Sequence, residues 1–241
     1  MLILSRFTLN QPLRQWIKSS PHPAARALFH GIKSLQRFEI PAPKLFWKPV
    51  YCFWQLAQNS LATFTRVLWW TPLFKSRCTV TNKGLYLYGG MPWIAGPLHI
   101  SVGKDCRISG QTTLTGRSAS VNPELIIGDN IDLGWQCTVA VGTRIIIGNN
   151  VRIAGQCFLA GYPGHPINAQ DRAAHKSELD NQAQEIVLAD DVWLGTGVKV
   201  LAGVHIGQGT IVGTGSVVTK DLPAGVIAAG NPARVIRKIE G

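Results

Sequence analysis

Residues 161–185 read GYPGHPINAQDRAAHKSELDNQAQE and hold the groups best suited to proton transfer: His165 and His175, with Asp171, Glu178 and Asp180 beside them. An imidazole of ordinary pKa, about 6.5, can take a proton from a hydroxyl near neutral pH. A carboxylate on its second nitrogen would fix its tautomer, and spacing does not choose among Asp171, Glu178 and Asp180. His165 lies in a Gly-His-Pro turn, whereas His175 lies in the helix-like DRAAHKSEL and reads as a surface histidine. His99 and His205 fall within regular repeats and read as structural, while His22 and His30 belong to an amino-terminal arm. Five cysteines without a CxxC pair argue against both a zinc site and a disulfide framework, so no metal is expected.

A polar loop of this length needs a stiff support, and the flanking sequence provides one. Residues 188–223 divide into six hexads, LADDVW, LGTGVK, VLAGVH, IGQGTI, VGTGSV and VTKDLP. Leu188, Leu194, Val200, Ile206, Val212 and Val218 open them, and Val192, Val198, Val204, Thr210, Ser216 and Leu222 follow four places later. A helix repeats its apolar face about every 3.6 residues and a half-buried strand every two. A period of six instead suits short flat strands joined by tight corners, which is the pattern of a parallel β-helix. Gly195, Gly207 and Gly213 are expected at the corners, where glycine alone turns without steric cost. Earlier hexads start near Leu98 (VGKDCR, ISGQTT, LTGRSA), slip from Ser120 to Leu125, resume at IGDNID from Ile127 and take a two-residue insertion at Ile145 and Ile146 before the loop interrupts them. Cys106, Cys137 and Cys157 take the fifth place of a hexad as small inward core residues. Burying one aliphatic side chain per hexad recovers less than ordering six residues costs, so the coils should also bury an outer face on one another, as a trimer.

The hexads, followed by VVTKDLPAG and GNPARVIRKI, resemble the hexapeptide-repeat acyltransferases over roughly residues 98 to 239. That is the left-handed β-helix family of galactoside, maltose, nodulation-sugar and xenobiotic acetyltransferases. The resemblance implies three hexads per coil, about five to six coils in all, a homotrimer, and acetyl-CoA as co-substrate. The GHP segment is similar to that of the sugar acetyltransferases, whose histidine is the catalytic base on a loop reaching into a neighbouring subunit's cleft. This makes His165 the expected catalytic residue. For acetyl-CoA the resemblance points to Trp193 and Thr196 in VWLGTG, to Thr214 in GTGS where alanine is usual, and to Thr219 and Lys220 of the TK pair. Arg234, Arg237 and Lys238 offer cations for the nucleotide phosphates.

Charge sits mainly at the front of the chain. Of a formal net charge of +11, the arm from Met1 to Lys48 carries Arg6, Arg14, Lys18, Arg26, Lys33, Arg37, Lys44 and Lys48 against Glu39 alone. The charge suits nucleic acid, anionic lipid or an anionic cofactor, and no nucleic-acid module accompanies it, so no nucleic-acid partner is expected. The segment MLILSRF is too short for a secretory h-region, and reduced thiols point to the cytoplasm, with peripheral attachment at the inner face of the cell membrane. Prolines limit residues 8–44 to short helices, about Leu13 to Ser19 and Ala24 to Phe38. Between Leu45 and Phe74, the residues Phe46, Val50, Phe53, Trp54, Ala57, Leu61, Phe64 and Leu68 define one apolar helical face opposite Gln55, Gln58, Asn59 and Arg66. Such a helix is suited either to lie in a membrane interface or to cap the β-helix; its polar centre argues against a span. The expected division is a helical arm at 1–75, lead-in strands at 76–97, and a β-helix at 98–241 with a catalytic loop at 161–185 and a tail at 224–241.

Where the sugar acetyltransferases place an acceptor-binding asparagine, this chain has Gly134, Trp135 and Gln136. Trp135 and Gln136, with Arg172 on the loop, are the acceptor-binding candidates. An aromatic, basic arm replaces the acceptor helices of the small-sugar enzymes, and this shifts the expectation to a larger acceptor, a polysaccharide or lipid-linked glycan precursor. The competing expectations are a xenobiotic or small-sugar acetyltransferase and a non-enzymatic β-helical scaffold. A γ-class carbonic anhydrase would need three zinc histidines, and the ten-residue spacing of His165 and His175 does not supply them.

Overall fold

The structure, a computed structural model, describes residues 11–240. The segment MLILSRF, with Arg6, lies outside the described residues. Internal contacts divide the chain into Met1–Leu56 and Ala57–Gly241. In the first unit, α1 (Gln11–Ser19) and α2 (Pro23–Gln36) pack on each other, and Ile17 and Ala25 are their buried residues. Pro23 opens α2 because its fixed φ suits a first helical turn, and the His22 ring accepts from the backbone N–H of Ala24 at 3.3 Å.

A third helix, α3, runs from Lys44 to Thr65 and includes Pro49. The expected single helix to Phe74 is interrupted: a π-helical turn, Arg66–Trp70, leads into α4, Thr71–Arg77. Pro72 has no N–H to donate backwards, and the structure seats it in the first turn of α4, where none is needed. Capping of the solenoid falls to the end of this run. Phe74 is fully buried in the core of the second unit and Trp70 packs against that core, while Leu61, Phe64, Val67, Leu68 and Trp69 are exposed.

From Val80 onward the chain is a parallel β-helix, as the hexads imply, and of the left-handed kind that the family resemblance implies. Three ladders form its faces: one from Val80–Thr81 to His205–Ile206, one from Tyr86–Tyr88 to Ala233–Lys238, and one from Trp93–Ala95 to Val217–Val218. Six strands stand on the first and third faces, making six complete coils; a bridge from Ile206 to Leu222 starts a seventh. Pairing is parallel until the final strand, which turns back antiparallel on Val226–Gly230. Residues 76–97 are therefore more than a lead-in: with Leu87 fully buried, the strands from Val80 to Ala95 close the first coil.

All six opening aliphatics from Leu188 to Val218 are buried, as are Val192, Val198, Val204, Thr210, Ser216 and Leu222 four places on. The two hydroxyls among them are satisfied inside, Thr210 Oγ1 donating to the Pro223 carbonyl and Ser216 Oγ to that of Gly213, both at 2.6 Å. The reading of the corner glycines needs correction. Gly195, Gly207 and Gly213 do not have positive φ; the left-handed residues are Gly197, Gly209 and Gly215, at the fourth place of the hexad, with φ of 69° to 72°. The second-place glycines are there for stacking: a Cβ on Gly195 would sit 2.7 Å from the backbone nitrogen of Thr214 one coil further on.

Candidate active site

The three edges of this prism sort the candidate residues. At the edge between the second and third faces, successive coils contribute Gly134–Gln136, Ala154–Gln156, Gly195–Gly197 and Gly213–Gly215. Backbone bonds stack them: Gln156 donates to Trp135 at 2.8 Å, Gly197 to Gly155 at 3.0 Å and Gly215 to Thr196 at 2.8 Å. Trp135, Gln136, Thr196 and Thr214 thus lie along one edge, all exposed. The indole of Trp135 covers Gly155, where a Cβ would come within 2.8 Å of the ring, so glycine there makes room for tryptophan. Gln136 accepts from Gln156 at 3.2 Å. Trp193 stands half-exposed on the second face, in register with Arg152 and Ile211. Arg234, Arg237 and Lys238 are exposed on the final strand, which extends that same face.

His165 belongs to a different edge. The loop leaves the third face after Phe158–Ala160 and re-enters the first at Ile186–Leu188. Thr219 and Lys220 turn the same edge two coils later. Face three therefore separates the loop from the Trp135–Thr214 edge within one chain. Two clefts open along the loop's own edge, one of about 370 Å³ lined by Arg77, Cys78, Gly96 and His99, and one of about 380 Å³ lined by Glu124, Thr143, Arg144 and the last residue of the loop, Glu185.

The loop is built rather than slack. Its neck closes where Gln184 N–H donates to the Gly161 carbonyl at 3.0 Å, and Gly142 on the preceding coil leaves room, since a Cβ there would fall on that carbonyl oxygen. The Tyr162 hydroxyl bonds Thr115 Oγ1 at 3.2 Å. Asn168 caps the short helix α5, Ala169–Ala173, by accepting from the N–H groups of Gln170 and Asp171. Arg172 donates to the carbonyls of Pro166, at 2.9 Å, and Ile167, so its guanidinium staples the peptides that directly follow His165. The helix-like reading of DRAAHKSEL holds only for its start: α5 ends at Ala173, and His175 lies beyond it with φ of 55°.

Sequence reasoning missed the anchor. Arg117, only 4% exposed, donates through Nε to the equally buried Glu178 carboxylate, through Nη2 to the Glu178 carbonyl at 3.0 Å, and through Nη1 to Ser120 Oγ at 3.3 Å. Nη1 also pairs with the exposed Asp180 at 2.9 Å. Burial by itself would pull the guanidinium's pKa down, but bonds to Glu178 and Asp180 outweigh it and raise the net value. Arg117 stands at the loop's own edge, two coils earlier, where its one sequence signal is the register slip after LTGRSA. The three carboxylates proposed to orient an imidazole are engaged otherwise: Glu178 and Asp180 with Arg117, and Asp171 with Lys176 at 2.8 Å.

His165 itself is exposed, on a loop held at its neck, its helix and its far end. Such an imidazole can accept a proton from a molecule arriving from outside the chain. The buried cysteines cannot compete as nucleophiles, because Cys106, Cys137 and Cys157 are free thiols shut inside the core, at most 2% exposed.

Comparison with known proteins bears on the repeat and on the fold. Residues 185–220 match the bacterial transferase hexapeptide family, described as six repeats. A provisionally named acetyltransferase of Saccharomyces cerevisiae is 43% identical over 76 residues, covering 32% of this chain and 37% of that protein. Another, from Staphylococcus aureus strain COL, is 42% identical over 76 residues, covering 32% and 36%. The chain thus spans just over a third of the length of the curated relatives it matches. Among solved structures, a variant of AntD, an N-acyltransferase from Bacillus cereus in complex with dTDP-4-amino-4,6-dideoxyglucose and coenzyme A, superposes with a TM-score of 0.58. It is 19% identical and covers 71% of this chain and 89% of its own, a likeness of fold.

Proposed function

We propose, for a chain that carries the bacterial transferase hexapeptide repeat over residues 185–220, that it transfers an acetyl group from acetyl-CoA to a sugar hydroxyl. The observation that carries this reading is the exposed His165 on a loop locked to its coil by Arg117 and braced from within by Arg172. His165 takes the proton of the acceptor hydroxyl as its oxygen forms a bond to the thioester carbonyl carbon. A backbone amide donor stabilises the oxyanion; the carbon–sulfur bond then breaks, and the departing thiolate takes the proton from the imidazolium. No acyl-enzyme is needed.

Because His165 and the Trp135–Thr214 edge belong to different edges of one prism, the site needs the loop of one chain and the edge of another, which a homotrimer provides. Acetyl-CoA lies along that edge past Trp193, Thr196 and Thr214, with Arg234, Arg237 and Lys238 toward its phosphates. Thr219 and Lys220 contact it from the loop's edge. Trp135 and Gln136 face the acceptor. Arg172 serves the acceptor site indirectly, by shaping the peptides after His165. The acceptor is a polysaccharide or lipid-linked glycan precursor, met in the cytoplasm at the inner face of the membrane, where residues 1–75 act as an arm.

The test is His165→Ala, assayed by coenzyme A release from acetyl-CoA over a panel of glycan acceptors. Loss of a general base should lower kcat by about 10² to 10⁴ with affinity for coenzyme A and the elution volume unchanged. Wild-type turnover in this variant would remove the imidazole from the reaction.

A further inference from the structure

Helix α3 is exposed on every side: none of its 22 residues is buried. Down one side run Phe46, Val50, Phe53, Trp54, Ala57, Leu61 and Phe64, at steps of three and four residues, and the six large ones are 41% to 73% exposed. Down the other run Lys44, Lys48, Gln55 and Asn59, at steps of four and seven, and Arg66 continues the stripe into the π-helical turn. An apolar stripe this long is not left bare in water.

The charge of the chain indicates what covers it. No aspartate or glutamate occurs between Glu39 and Asp105, and thirteen of the twenty-four Lys and Arg residues lie before Asp105 against Glu39 alone. The remainder of the chain is close to neutral, with eleven basic and twelve acidic residues. A second copy of α3 would bring like charges together with no carboxylate on the helix to answer them. A bilayer with anionic headgroups answers both sides at once, since phosphates meet the lysines and the acyl boundary receives the aromatics. Trp47 and Trp54 are the residue type that prefers this boundary. Among the described residues no helix is long and apolar enough to cross a membrane, which leaves α3 in the plane of the surface.

We propose that α3 binds flat on an anionic bilayer, with Phe46, Phe53, Trp54, Leu61 and Phe64 inserted and Lys44 and Lys48 at the phosphates. This deepens the membrane part of the functional reading but stands on the helix alone, so its failure would leave the transfer chemistry untouched.

The experiment is flotation of the full chain with vesicles of phosphatidylcholine, or of phosphatidylcholine with phosphatidylglycerol. Binding is expected to the anionic vesicles, weakened by salt, with a loss of about fivefold in partition for each of Lys44→Gln and Lys48→Gln. The double variant Phe53→Ser, Trp54→Ser should lose about tenfold or more while keeping its circular dichroism and elution volume. Because those side chains are exposed, the variant tests the surface and not folding. Absence of flotation, equal binding to both vesicle types, or wild-type flotation of the double variant would overturn the proposal. So would a double variant whose oligomeric state changes while its flotation does not, an outcome that would assign the face to a second copy.

Discussion

Replacing Arg117 by methionine keeps the bulk of the side chain and removes its charge, leaving the Glu178 carboxylate, 6% exposed, without its cation. Breaking a buried pair on one side costs about 3–5 kcal/mol. The exposed partner Asp180, at 91%, contributes at most about 1 kcal/mol, so Asp180→Asn serves as the control. Glu178 belongs to the loop, and the loop can carry it into water, so the cost should appear as lost anchoring rather than as a failed solenoid. Hydrogen exchange reads this directly. Amides within residues 161–185 should exchange about a hundred- to several-thousand-fold faster, at tenfold per 1.4 kcal/mol, up to the limit set by free loop opening. Coil amides such as Gly148 N–H, which donates to Leu188 at 2.8 Å, should keep their protection. In activity, kcat should fall while KM for acetyl-CoA holds, because the imidazole and not the cofactor edge is displaced. Adding Glu178→Leu should restore much of the protection by removing the orphaned charge. Unchanged loop exchange in Arg117→Met would refute the reasoning, and so would an equal rise in the coils.

Two further outcomes follow from the same packing. Gly142→Ala places a methyl on the Gly161 carbonyl and 3.2 Å from Ala183 Cβ. It should cost about 1–3 kcal/mol, seen as a fall in Tm of about 2–4 °C per kcal/mol. In the folded protein a disulfide reagent at pH 8 should label Cys52, which is exposed, ahead of the others. Burial pushes the Cys78 thiol up to about 11, so it stays protonated at that pH and gains reactivity only as the pH is raised towards that value. Cys106, Cys137 and Cys157 should react only on unfolding, and early labelling of any of the three would contradict their inward position.

The inward positions from Leu188 to Leu222 were legible in the sequence because each hexad is a local event: two core residues, a corner, then the next face. The role of its glycines was less so, since the period cannot tell a left-handed corner, Gly197, from a close stack, Gly195. The first coil escaped the pattern because Leu85, Leu87 and Ile94 are separated by glycines and Pro92 instead of a regular aliphatic repeat. The π-helical turn at Arg66–Trp70 leaves the apolar periodicity on either side nearly intact, and nothing marks it but Pro72 downstream. The loop stood out as a break in the hexads, with His165 as the base expected on it. Arg117 and Glu178 could not be paired beforehand: they lie 61 residues apart and meet only because the chain makes two turns of the solenoid from one to the other.

The central claim is that one chain's His165 works against the edge of another, and hybrid oligomers test it most directly. His165→Ala and Thr196→Trp, the second blocking the cofactor edge, should each be inactive alone, and refolding them together in equal amounts should restore about a quarter of wild-type acetyl transfer. A mixture as inactive as its parents, or a wild-type chain that is fully active as a monomer, would contradict the account.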